Sequence, residues 1–160
     1  MKTNLDTAVN EFPALRSPNA LLAARCALEW YDLTPEGAKE WFTEDCIYEN
    51  RCNHGTLVHG PEEIYKLLQV YLKMCDRFEG ILLNISESGD VVLLEREEVT
   101  YLKDGRSFSL PVMDSFTMRD GKISMFREYW DVALLTNHLD GTATGDEATQ
   151  SFEDYKAENA

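Results

Sequence analysis

The chain has 160 residues, 44% hydrophobic and 11% aromatic, which is enough to bury one sizeable core and is read as one domain. Its net charge of −14 argues against partners such as nucleic acid or an anionic membrane, which require a basic surface. No apolar run approaches the roughly 20 residues of a membrane span, and MKTNLDTAVNEF at the start lacks the apolar core of a signal peptide. Neither secretion nor membrane insertion is expected. The four cysteines (Cys26, Cys46, Cys52 and Cys75) contain no CxxC pair, and Cys52-x-His54 after Cys46 fits zinc spacing poorly. They read as free or structural thiols of a protein in the reducing cytoplasm, with no metal and no cofactor implied.

Residues 1–16 read as an irregular arm. Ser17-Pro18 is a helix start, with Ser as N-cap and Pro at the first position, and Asn19 to Tyr31 continues as a broadly apolar helix. A second, short helix runs from Thr34-Pro35 to Phe42, Glu44-Asp45 turns, and Cys46 to Asn50 is a short strand. Arg51 to Gly60 reads as a loop. Gly60-Pro61 opens a third helix to about Asp76, whose Ile64, Leu67, Leu68, Tyr71, Leu72 and Cys75 recur at helical spacing. That stripe is a core face.

From Phe78 the pattern changes to strands: Phe78–Ser86, Val91–Leu102, Arg106–Met118 and Lys122–Asp131, joined by turns containing Gly89, Gly105 and Gly121. Val132 to Leu139 is a terminal helix or cap, and residues 140–160 form an acidic tail expected to be disordered. Helices followed by an antiparallel meander give the α+β class. A strongly curved sheet with helices across its concave face makes a cone with an apolar interior, a natural ligand site.

Charges sit inside the long strand Val91–Leu102, VVLLEREEVTYL. Residues two apart share a face, so Arg96 and Glu98 lie with Val92, Leu94 and Thr100, while Glu95 and Glu97 lie opposite. Tyr48 and Asn50 share a face of the first strand; Phe126, Glu128 and Trp130 share one of the last; Phe108, Leu110, Val112, Asp114 and Phe116 share one between. Each face sets polar groups among large apolar ones, as in a lined pocket. Each also has a plainer reading, as a strand end bonded to a loop or a solvated cross-strand ladder. His54 and His59 read as loop histidines and His138 as incidental.

These stretches, with WFTEDCIYEN and DSFTMRDGKISMFREYW, resemble the NTF2-like (cystatin-like) α+β cone superfamily over roughly residues 17–135. Within it the chain is most similar to the limonene-1,2-epoxide hydrolases, alongside SnoaL-like and ketosteroid-isomerase-like relatives. The Tyr-x-Asn pair matches Tyr48 and Asn50. The Arg-x-Asp pair matches Arg96 and Glu98 within Glu95-Arg96-Glu97-Glu98. The Gly-Arg-Ser-aromatic hairpin matches Gly105 to Phe108, and the Arg-Asp-Tyr-aromatic-Asp run matches Arg127 to Asp131.

The resemblance implies one-step acid–base hydrolysis of a small to medium apolar epoxide, in a homodimer formed through the sheet. Carried over, Glu128 is the general base, Tyr48 and Asn50 help hold the water, Glu98 protonates the epoxide oxygen, and Arg96 bridges the carboxylates. Leu110, Val112, Asp114, Phe126 and Trp130 are the candidate substrate-binding residues, with Met113 a further determinant of pocket size. Both acids are Glu where the family has Asp; one methylene shifts a carboxylate by about 1 Å, and such a displacement costs on the order of 100-fold in rate. The alternatives are an isomerase or polyketide-cyclase-like enzyme using Glu98, Glu128 and Asp114, and a non-catalytic ligand-binding domain. Of the isomerase groups, Asp114 matches the oxyanion Asp, but Asn50 and Cys26 replace the shuttling Asp and the Tyr.

Overall fold

Proline opens three of the helices. The computed structural model describes residues 5–52 and 56–140; His54 and the acidic tail beyond Asp140 lie outside the described residues. Helix α1 spans Leu5–Glu11, α2 Pro18–Glu29, α3 Pro35–Trp41, α4 Gly60–Met74 and α5 Val132–Asp140. Short 3-10 turns lie at Pro13–Arg16 and Trp30–Asp32. Thr34 caps α3, its hydroxyl accepting from the Gly37 N–H at 3.0 Å. Ser17 occupies the N-cap of α2 but makes no side-chain cap bond; its carbonyl accepts from Leu21 instead.

The strands are β1 Phe42–Asn50, β2 Thr56–His59, β3 Cys75–Ser88, β4 Val91–Leu102, β5 Ser107–Arg119 and β6 Lys122–Tyr129, in the order β2-β1-β6-β5-β4-β3. All neighbours are antiparallel except β1 and β6, which pair parallel. Register shifts interrupt β1, β3 and the β5–β6 pair. Such bulges bend a strand and add twist, and the sheet curves around the helices on its inner face. At the β5–β6 turn Asp120 and Gly121 both have positive φ, 53° and 74°, as a tight hairpin of this twist demands.

Three segments depart from the sequence expectation, the first being Glu44-Asp45, read as a turn but lying inside β1. The arm read as irregular is helical: Leu5, Ala8, Val9 and Phe12 stand at i, i+3, i+4 and i+7, a stripe one turn too short to stand out, and Leu5, Ala8 and Leu15 are buried. The loop read between residues 51 and 60 contains β2, which pairs with β1 as an edge strand. A four-residue strand carries too little periodicity to announce itself. Elsewhere the elements agree with the reading to within a few residues.

Helix α2 packs unusually close to the sheet. Its inward face is built from Ala20, Ala23, Ala24, Cys26 and Ala27, all at most 1% exposed. Opposite, Gly80 of β3 lies under Leu28: a Cβ added at Gly80 would sit 3.0 Å from the Leu28 Cα and 2.7 Å from its Cδ2. Glycine here makes room for a helix backbone. Gly80 is also the cross-strand partner of Glu98, so the same approach brings the end of α2 to the polar part of β4. Gly80→Ala is expected to lower stability by about 1–3 kcal/mol, as overpacking does, measured as a fall in urea midpoint at constant slope. An unchanged midpoint would mean that α2 does not pack this tightly.

Candidate active site

The twelve residues of β4 bury alternate side chains. Val92, Leu94, Arg96, Thr100 and Leu102 are at most 7% exposed, whereas Leu93 is 46% exposed. The even face is therefore inside, and it carries Arg96 into the cone at 1% exposure. A buried guanidinium needs partners for all of its donors.

Three carboxylates accept from it, one at each of its nitrogens. Nε donates to Asp114 Oδ2 at 2.7 Å, one terminal nitrogen donates to Glu98 Oε2, and the other donates to Glu128 Oε1 at 2.8 Å. Arg96 thus lies between Glu98 and Glu128, and the extra methylene of each Glu does not break the bridge. Glu98 comes from β4, Asp114 from β5 and Glu128 from β6.

The parallel pairing of β1 with β6 brings up the remaining groups. Tyr48 faces Phe126 and Asn50 faces Glu128 in that register. The Tyr48 hydroxyl donates to Glu128 Oε2, and Asn50 Nδ2 donates to the Tyr48 hydroxyl at 3.4 Å. Asn50 is itself fixed by the Cys52 N–H, which donates to its Oδ1 at 3.1 Å. On the other side the indole N–H of Trp30, just beyond α2, donates to Glu98 Oε2 at 3.1 Å.

Burial and charge set the protonation. Burial, then the neighbouring Asp114, pushes Glu128 up to about 8, against the lowering effect of Arg96 and of the Tyr48 hydrogen bond. Burial likewise raises Asp114, although Arg96 opposes it. Burial raises the Tyr48 phenol well above its ordinary value and the Glu128 charge adds to this, which keeps it a neutral donor. Burial works against the charge on Arg96, but Asp114, Glu98 and Glu128 outweigh it and keep it cationic.

This cluster floors a pocket whose empty space, together with the open solvent at its mouth, is about 670 Å³. Trp30, Tyr71, Phe78, Phe108 and Trp130 wall it, with Leu110 and Val112 from β5, and Leu135 and Leu139 of α5 line it as well. Helix α5 buries none of its own residues. It is held by Arg106, which donates to the carbonyls of His138 and Leu139, and by the His138 ring stacked on Phe108.

The residues read from sequence divide accordingly. Tyr48, Asn50, Arg96, Glu98 and Glu128 converge, and Leu110, Val112 and Trp130 line the pocket. Asp114 does not line it but sits behind Arg96, and Phe126 stacks on Phe116 and meets the Tyr48 ring edge-on in the core. Met113 points the other way, 46% exposed on the outer face, because it is one residue out of phase with Val112. His59 is exposed at the start of α4.

Trp30, Tyr71 and the two leucines of α5 escaped the sequence reading, since each sits in an ordinary apolar stripe. For the Asp114–Arg96 bond a signal existed: one acid on an otherwise apolar strand face calls for a buried cation. Among the described residues no three His, Cys, Asp or Glu side chains are placed to hold a metal ion.

The Glu128 shift fixes a sign for stability against pH. With its ordinary value at 4.5 and its folded value about 8, the folded state holds a proton that the unfolded state has lost between those limits. The contribution is full below the lower value and disappears as pH rises through the upper one. The melting temperature is expected to fall from pH 5 to pH 9, with a shallower fall in Glu128→Gln. A rising or flat wild-type profile over that window would contradict the burial of this carboxyl.

No curated protein matches the chain. Among solved structures, an LEH-like epoxide hydrolase from M. tuberculosis has TM-score 0.62 and 22% identity, covering 76% of this chain and 89% of that one. A protein provisionally described as a SnoaL-like polyketide cyclase from Jannaschia sp. CCS1 has TM-score 0.67 and 19% identity, covering 79% and 93%. IdmH from Streptomyces antibioticus, also provisionally a polyketide cyclase, has TM-score 0.64 and 16% identity, covering 76% and 98%. At these identities the likeness is one of fold. Residues 26–126 match the model of the SnoaL-like domain, and since that is well over half of the sequence, the chain belongs to the SnoaL-like family.

Proposed function

We propose that the protein adds water to a small or medium apolar epoxide in one general acid–base step. The observation that carries this reading is Arg96 bonded at once to Glu98 and Glu128 on the floor of an apolar pocket. In the proposed step Glu128 takes a proton from water while the water oxygen bonds to an epoxide carbon. The carbon–oxygen bond opposite breaks, and Glu98 protonates the oxygen that leaves. Tyr48 and Asn50 hold the water beside Glu128. Arg96 stays charged throughout and keeps the two carboxyls in place. The two acids finish with their proton exchanged, and its return from Glu128 to Glu98 resets the site. Opening an epoxide needs an acid and a base in different protonation states, and an apolar wall of aromatic rings suits a hydrophobic ring-strained substrate.

A second reading, a cyclase or isomerase, is supported by a third carboxyl, the buried Asp114, on the same guanidinium. Incubation with a panel of epoxides in ¹⁸O-labelled water separates the two. Hydrolysis is expected to place label in the diol within a single turnover, to gain rate as pH rises through about 8, and to fall by at least about 100-fold in Glu128→Gln. Unlabelled rearranged or cyclised product would favour the second reading. Tight binding with no turnover would leave a ligand-binding domain.

The proposal includes a homodimer through the outer face of the sheet, where Leu83, Leu93, Met113 and Tyr129 are 44–46% exposed. Met113→Glu is expected to convert a dimer into a monomer in analytical ultracentrifugation. A wild-type monomer at micromolar concentration would refute it.

A further inference from the structure

The hydrolytic step uses two carboxyls, yet the site contains three. Asp114 is 1% exposed, lies below the pocket and cannot reach a substrate there. It faces Glu128 directly across the β5–β6 pairing and Leu94 across β4. Its Oδ2 accepts from Arg96 Nε at 2.7 Å, while its buried Oδ1 has no partner.

The groups around Asp114 and Glu128 come from four elements. Arg96 and Glu98 project from β4, Glu128 from β6 and Tyr48 from β1, while the buried Cys26 thiol of α2 sits close enough to feel both acids. Arg96 is the one cation among these groups. Two like charges directly opposite on adjacent strands repel, and carboxylates sharing a site hold a proton between them. An unpartnered buried oxygen also costs more on a carboxylate than on a neutral carboxyl.

We propose that Asp114 is a positioning residue for Glu128: the two carboxyls share one proton around Arg96, and Asp114 thereby sets the pH at which Glu128 is free to act as a base. Among the influences on Glu128, the Asp114 charge ranks directly after burial. The kinetic half of this inference rests on Glu128 being the base; the titration half does not.

The test is a titration of the full chain carrying ¹³C at the Glu and Asp carboxyls, with Glu128 assigned by Glu128→Gln and Asp114 by Asp114→Asn. In the wild type the Glu128 signal should step at about pH 8, and the Asp114 signal should respond in that same step. In Asp114→Asn, which keeps the shape and removes the charge, the Glu128 midpoint should fall by about one pH unit or more. In Asp114→Glu it should stay alkaline. If diol is formed, the midpoint of kcat/KM should move to lower pH with the Asn variant and stay with the Glu variant.

A Glu128 midpoint unmoved by Asp114→Asn, or no common step in the wild type, overturns the proposal; the wild-type measurement stands even if the variant does not fold. Absence of diol with the carboxyl titrations as expected would overturn the hydrolase reading and leave the shared proton in place.

Discussion

One guanidinium holds this site together. Arg96 is almost wholly excluded from solvent and offers its donors to three acids from three strands. Buried ion pairs are balanced on a large desolvation penalty, and removing one partner typically costs about 3–5 kcal/mol because the other is left uncompensated. The cluster constrains the sheet accordingly: β4, β5 and β6 must sit in the one register that brings all three acids to Arg96. The apolar groups around it, Leu94, Val112 and Phe116, are buried in the same layer, so the hydrophobic core and the polar site share a boundary.

Much of this was legible in alternation along strands. The meander, its turns and the inward face of β4 follow from residues two apart, and Arg96 with Glu98 stood out as charges on an otherwise apolar face. Alternation names a face but not what lies across from it. It placed Asp114 on the inner face of β5 without revealing that its partner was Arg96, and it placed Phe126 with Glu128 without showing that Tyr48 would cover it. Register between strands is set by turn geometry and bulges, and the shift between Thr117 and Met118 has no sequence mark. Trp30 is a harder case. Its bond to Glu98 depends on how closely α2 approaches β3, a distance governed by Gly80 and the alanine face.

Glu98 and Glu128 are each one methylene longer than the Asp expected from the resemblance to the epoxide hydrolases, and that length is absorbed locally. Each longer side chain still reaches Arg96, and the added length is taken up by partners on either side: Trp30 on Glu98 and Tyr48 on Glu128. Each carboxyl therefore has one donor besides the arginine. That gives both acids a fixed orientation, which is the sense in which such a site is preorganised.

The parallel seam between β1 and β6 has a consequence for the order of assembly. Arg96 meets Asp114 and Glu128 across sequence separations of 18 and 32 residues, within one run of hairpins. Tyr48 meets Glu128 across 80, and Trp30 meets Glu98 across 68. Closing the longer loops carries the greater entropy cost before any contact repays it. The hairpins are therefore the part of the molecule that can gather the charges early, in water, where ions are still hydrated. The N-terminal third, made first on the ribosome, has to wait for the last strand before it can close over them and dry the site.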